Sequence, residues 1–178
     1  MSATPARGDY SRTAKVLHWV IAALVLGLIP VGFSLDLLPQ GPVQDFAYLM
    51  HKSTGFVVLV LMIVRLGWRL ACPPPPPEPD MPRWQQALAS ANHYAFYAIL
   101  LTMPWLGWAG SNAFGAPVSV YGLFTLPDLV AENKELAKTL LGWHAALGIT
   151  VTALICVHIG AVLFHRFVRR DAVLARMT

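Results

Sequence analysis

His144 and His158 stand fourteen residues apart in one of the most apolar stretches of the chain, LGWHAALGITVTALICVHIGAVLF. At about 100° per residue, fourteen helical steps return the second imidazole to within roughly 40° of the first, about 21 Å further along the axis. Two imidazoles on one stripe at that separation suit two stacked metal centres, one towards each side of a bilayer. A lipid core offers an ionisable side chain no water, so such residues mark function by default. His51 and His18 elsewhere in the chain are available as partners. A lone histidine is more often a polar residue satisfied by its neighbours, but a spaced pair with partners favours haem ligation.

The cysteines narrow the chemistry. There are two, Cys72 and Cys156, with no CxxC or CxxCH. Zinc, iron–sulfur and covalently attached c-type haem therefore lack their ligands, and no disulfide is expected. Any haem must be held non-covalently by histidine. The chain has 178 residues, 56% hydrophobic and only 12% charged, against about 25% charged in soluble domains. That composition predicts a single all-α membrane domain over residues 1–178. The net charge of +4 does not point to nucleic acid, because the basic residues gather at the ends of apolar runs, where they set membrane orientation.

The elements that must position the histidines are four spans, at approximately 15–35, 46–70, 84–109 and 139–167. The first is long enough to cross a bilayer and lacks a clean small-residue cleavage site, so it reads as a retained span rather than a signal peptide. Pro30 and Gly32 are possible kinks near its far end. A proline run, CPPPPPEPDMP, ends the second span as a stiff linker. A longer loop joins the last two spans, and its second half reads as an amphipathic helix leading into the fourth. Arg7, Arg12, Lys15, Arg65, Arg69, Arg83, Arg166, Arg169, Arg170 and Arg176 fall on one side of this topology, and Lys52, Lys134 and Lys138 on the other. The bias places both termini in the cytoplasm. Trp19, Trp68, Trp84, Trp108 and Trp143 lie close to span ends, as interfacial indoles do.

Charged residues near the interfaces give the histidines their depth. His51 lies six residues inside Asp45 and His144 six inside Lys138, each about 9 Å of helix. Both belong to the outer half. His18 lies six residues inside Arg12 and His158 eight before Arg166, so these share an inner level. Two bis-histidine pairs result, and filled axial positions suit electron transfer rather than oxygen binding. By depth, His93 could replace either inner ligand. His165 falls at the cytoplasmic interface, too near solvent for a ligand but suited to proton exchange with a reducible molecule. Arg65 follows His51 by fourteen residues on the same face; it could pair with a propionate, polarise a quinone carbonyl, or snorkel to the interface as Arg69 is expected to. Gly55 and Gly148, each one turn after an outer histidine, would admit a porphyrin or pack another helix.

The segments SRTAKVLHWV, YLMHKSTGFVVLVLMIVRLGWRL, ANHYAFYAILLTMPWLGWA and GWHAALGITVTALICVHIGAVLFHRF resemble the prokaryotic cytochrome b561 family of four-span dihaem cytochromes. The resemblance covers nearly the whole chain and is closest to small stand-alone members, including one acting as a superoxide:ubiquinone oxidoreductase. It implies a four-helix bundle in the bacterial inner membrane, two haem b groups ligated by His18, His51, His144 and His158, His93 in the surroundings, and ubiquinone near His165. Superoxide would reach the outer haem, with Lys138, Lys134 and Lys52 as the cations to guide it past Leu140 and Leu141. An alternative is a quinol-linked cytochrome b serving a dehydrogenase or hydrogenase, docked on Asp128, Glu132 and Glu135. A third is a haem-free bundle whose histidines relay protons, distinguishable by the lack of a redox-active absorbance band.

Overall fold

The computed structural model describes residues 9–78 and 81–178. Arg7 and two linker positions considered above lie outside them. Four long helices run Arg12–Ser34 (α1), Pro42–Ala71 (α2), Arg83–Phe114 (α3) and Lys134–Phe164 (α4). α1 continues into a 3-10 turn over Leu35–Leu37, and α4 into a π-helical turn over His165–Arg169. Each expected span lies within one helix and its terminal turn. The amphipathic segment before the fourth span is the first part of α4 itself, starting at Lys134.

α1, α2 and α4, with their terminal turns, are long and apolar enough to cross a membrane. α3 has the length, 32 residues, but not the apolar density, because Gln85, Gln86, Asn92, His93, Ser111 and Asn112 interrupt it. The expected four spans are thus matched by four helices, of which three carry the composition of a span.

Local chemistry sets the helix ends. The Ser11 hydroxyl caps α1 by accepting from the Ala14 N–H at 3.3 Å, and the Asn133 side chain caps α4 by accepting from the Leu136 N–H at 3.0 Å. Pro42 opens α2, where a missing N–H costs nothing. α3 stops at Gly115, whose φ of 87° is the left-handed conformation that ends helices. Pro30 and Pro104 lie inside α1 and α3.

Packing is sequential: α1 on α2, α2 on α3, and, most extensively, α3 on α4. The backbone of α4 stands further from α1 and α2, which it meets through side chains. Ile21 and Val25 from α1 meet Val58 and Met62 from α2, with Tyr97, Leu100 and Ile155 packed around them; the spacing of four within each pair puts both members on one helix face. Other large apolar side chains face outwards, among them Val20 and Leu26 on α1, Ile63 and Val64 on α2, and Ile149, Val157 and Leu163 on α4. An exposed apolar belt of that extent suits lipid rather than water.

Between α3 and α4 a two-stranded hairpin, Ser119–Val120 (β1) with Phe124–Thr125 (β2), folds over the outer end. Its turn carries positive φ at Tyr121 (51°) and Gly122 (74°), the type I′ pattern. Ser53, fully buried in α2, anchors it: its hydroxyl donates to the Ser119 carbonyl at 3.1 Å and accepts from the Tyr121 N–H at 2.8 Å. Val118, Val120 and Leu126 seal the hairpin against Phe56 and Trp108.

Candidate functional site

The histidines gather at two levels. At the outer level the ring centres of His51 on α2 and His144 on α4 lie 6.0 Å apart, at 73° to one another. At the inner level His18 on α1 lies 6.3 Å from His158 on α4, and His93 on α3 lies 5.9 Å from His158. A metal bound between two imidazoles needs about 2 Å to each nitrogen, plus roughly 1 Å from nitrogen to ring centre, hence centres about 6 Å apart. Both levels meet that spacing. Ile21, Val25, Val58, Met62 and the buried Val151 of α4 fill the space between them with apolar side chains.

A porphyrin also needs room for its plane between the helices that ligate it. His51–His144 crosses from α2 to α4 and His18–His158 from α1 to α4, two of the helix pairs whose backbones stand apart. His93–His158 crosses the closely packed α3–α4 interface. His18 therefore fits a haem opposite His158 better than His93 does, a choice that depth along the chain left open.

The outer histidines are held by features that only the packing reveals. His144 Nδ1 donates to the Met103 carbonyl of α3 at 2.9 Å, leaving Nε2 for a metal, the usual second contact of a ligating imidazole. Gly107, one turn beyond Met103, makes this approach possible: a Cβ there would stand 3.0 Å from His144 Cε1 and Nδ1. Gly32 of α1 does the same for His51, with its would-be Cβ at 2.9 Å from Cε1. The Leu28 carbonyl of α1, four residues before Gly32, lies within reach of the His51 ring, as the Met103 carbonyl before Gly107 does for His144. Both glycines follow a proline closely, Pro30 and Pro104. Those Pro/Gly pairs are the signal the sequence offers, and the first is the kink expected in the first span. Of the glycines singled out earlier, Gly148 packs against Met103 Cε, 3.7 Å from its would-be Cβ, and Gly55 faces open space.

The cations differ in how they are engaged. Lys52 Nζ donates to Ser111 Oγ at 3.0 Å and to the Pro117 carbonyl at 3.3 Å, tying α2 to the outer loop. Lys134 pairs with Glu132 at 2.9 Å, donates to the Phe114 carbonyl at 2.6 Å and lies over the Phe114 ring. Lys138 is exposed and has neither hydrogen bond nor ion pair among the described residues. Asp128 of the acidic group accepts from Asn112 at 2.7 Å, so two of its three members serve the loop itself.

At the inner end, Arg65 donates to the Ala14 carbonyl at 3.0 Å, within electrostatic reach of His18 and His93. Arg69 does not simply extend to the interface: its guanidinium lies over the Tyr97 ring, 5.6 Å from the centre. His165 is a correction to the sequence reading. It is buried, 8% exposed, with Nδ1 2.5 Å from Asp171 Oδ2. The chain reversal after α4 brings Asp171 back onto it, which position along the span could not show. Cys72 and Cys156 are both free and exposed.

Residues 9–178 match the family model described as prokaryotic cytochrome b561. The chain belongs to the prokaryotic cytochrome b561 family. Cytochrome b561 homolog 2 of Escherichia coli K12 is 30% identical over 178 residues, covering 99% of this chain and 95% of its own length. A protein of Yersinia pestis named probable superoxide oxidase CybB is 31% identical over 170 residues, 94% of each chain. Cytochrome b561 homolog 1 of E. coli K12 is 32% identical over 177 residues, 94% of this chain and 96% of its own. Family membership makes this chain an electron-transfer protein of a bacterial membrane that binds b-type haem. The two histidine levels, each bridging α4 to a helix whose backbone stands away from it, fit that cofactor.

Proposed function

We propose that this cytochrome is a four-span inner-membrane oxidoreductase that oxidises superoxide on the periplasmic side and reduces ubiquinone on the cytoplasmic side, with both termini in the cytoplasm and α3 as the fourth crossing. The net reaction is 2 O2•− + Q + 2 H+ → 2 O2 + QH2. His51 with His144, and His18 with His158, would hold two b-type haems, which would supply reversible one-electron chemistry. The observation that carries this reading is the pair of histidine couples about 6 Å apart, each bridging α4 to a helix whose backbone stands away from it. The relative named probable superoxide oxidase supports the choice of substrate.

The chain's own residues have separate tasks. Met103 fixes the His144 ring through its Nδ1–H. The apolar layer around Val58 and Met62 excludes water between the levels, so protons do not follow electrons across. Lys138, exposed and unpaired one to two turns above His144, attracts a small anion to the outer end, where oriented charge raises encounter rates tenfold or more at low salt. Lys134 and Lys52, already engaged, contribute less. Arg65 is a partner for an anionic group at the inner level, His93 part of the surroundings there, and His165 exchanges protons with the quinone.

Stopped-flow mixing of the purified cytochrome with superoxide tests the reading. The expected result is rapid appearance of the reduced b-type spectrum, with two haems per chain by pyridine haemochrome. One haem or none removes the mechanism. Two haems that superoxide fails to reduce, but quinol or a dehydrogenase does, would replace it with a cytochrome b serving a partner enzyme.

A further inference from the structure

α4 does not end in a simple cap. Its last turn, His165–Arg169, is π-helical, a form that recurs at functional sites. Arg170 follows in the left-handed region, φ 55° and ψ 37°, although it is not glycine. L-residues adopt that conformation at a cost, and such strain persists where surrounding structure enforces it. Its effect here is to fold the chain back. The Asp171 N–H points to the His165 carbonyl at 3.3 Å, and His165 Nδ1 donates to Asp171 Oδ2. Arg169 Nε lies 3.4 Å from the same oxygen, Arg169 also donates to Gln85 Oε1 of α3 at 3.3 Å, and the Val173 N–H donates to Asp171 Oδ1 at 3.2 Å.

His165, buried, lies seven residues beyond His158, hence about 10 Å further along the helix and within roughly 20° of the same stripe, and Asp171 beside it is partly exposed. Burial alone would raise the Asp171 carboxyl. The hydrogen bonds from His165 and Val173 and the adjacent positive charge outweigh it and hold the group below its ordinary range. Asp171 is therefore an ionised acceptor at neutral pH. An imidazole whose Nδ1–H is held by a carboxylate keeps one tautomer and leaves Nε2 as the working nitrogen.

We propose that Asp171 is a positioning residue for His165, holding its Nδ1–H so that Nε2 carries protons from cytoplasmic water to the quinone reduced at the inner level. The inference rests on the quinone-reducing reading above. Each quinone takes two electrons, one from each superoxide oxidised, and two protons. For each proton, the cationic ring gives its Nε2–H to a quinone oxygen, remains neutral with Nδ1–H on Asp171, and is reprotonated at Nε2 from water. Among the described residues the His165 ring meets the Asp171 carboxylate and the Phe164 ring at 5.9 Å; Arg169 approaches the same carboxylate, and the uncharged Gln85 of α3 accepts from Arg169.

The test separates the two half-reactions in the full haem-loaded chain. Anaerobically reduced wild type, Asp171→Asn, Asp171→Glu and His165→Gln are mixed with a short-chain ubiquinone, and haem reoxidation is followed across neutral to mildly alkaline pH. Asp171→Asn is expected to reoxidise about tenfold to a hundredfold more slowly, the range typical of lost imidazole-orienting contacts. Its pH profile should shift, and Asp171→Glu should recover much of the rate. Haem content and superoxide-driven haem reduction should match wild type. If Asp171→Asn equals wild type in rate and pH profile, the pairing is overturned while quinone reduction stands. If ubiquinone does not reoxidise wild type, the quinone reading fails and takes this inference with it. The 15N shifts of the His165 ring give a second readout: Nδ1–H in wild type and loss of that preference in Asp171→Asn. An Nε2–H ring in wild type overturns the proposal independently of any rate.

Discussion

Replacing Gly107 by alanine should weaken the outer haem site without touching a ligand. The new methyl would stand 3.0 Å from His144 Cε1 and Nδ1 and 3.8 Å from Cγ, inside normal contact distance for two of the three atoms. α3 and α4 form the tightest interface in the bundle, so the ring must yield rather than the helices. Its retreat lengthens the 2.9 Å bond to the Met103 carbonyl and turns Nε2 off the axis shared with His51. Overpacking of this kind costs about 1–3 kcal/mol, and a lost neutral hydrogen bond about 0.5–1.5 kcal/mol. The better helix propensity of alanine returns about 1 kcal/mol. The net, about 0.5–3.5 kcal/mol, corresponds to roughly a twofold to three-hundredfold weaker hold on the haem. Pyridine haemochrome analysis after purification should find the haem-to-chain ratio falling from two towards one, with the remaining haem still low-spin. Gly142→Ala is the control, since nothing lies within 4 Å of its would-be Cβ; both haems should remain. Unchanged haem content and unchanged midpoint potentials in Gly107→Ala would refute the argument.

Three further outcomes follow from the same geometry. Lys138→Glu should slow superoxide-driven haem reduction and remove its ionic-strength dependence with both haems retained, whereas Lys52→Glu, which sets a carboxylate against the Pro117 carbonyl, should mainly destabilise the outer loop; stopped-flow rates at two salt concentrations separate them. Ser53→Ala leaves the Ser119 carbonyl and the Tyr121 N–H without their buried partner, at about 1–3 kcal/mol for each group left unsatisfied, and hydrogen exchange at the hairpin should accelerate. Because the Asp171 carboxyl is held below its ordinary range, its contribution is present above about pH 4 and is lost as pH falls through the lowered value; acid should therefore release the segment after α4, visible in Trp19 fluorescence through its bond to the Met177 carbonyl, and Asp171→Asn should lack that acid step.

Periodicity and charge were enough to find the helices, since a run of apolar residues closed by prolines or arginines has few ways to satisfy its backbone in lipid. They also sorted His51 with His144 and His18 with His158, because depth along a straight helix is simple arithmetic. Composition is weakest for α3, which has the length of a span but whose amides and hydroxyls leave it short of the apolar density of α1, α2 and α4. Depth could not choose between His18 and His93, for it carries no information about lateral distance. The packing supplies that distance, placing His18 at 6.3 Å and His93 at 5.9 Å from His158, with α3 packed closely on α4 and the α1 backbone further off. Gly32 and Gly107 gain meaning only when another helix lays an imidazole against them, and His165 is buried rather than solvated only because a π-turn and a left-handed Arg170 return Asp171 to it. Such contacts join residues distant in sequence or reversed in direction, and no local pattern encodes them.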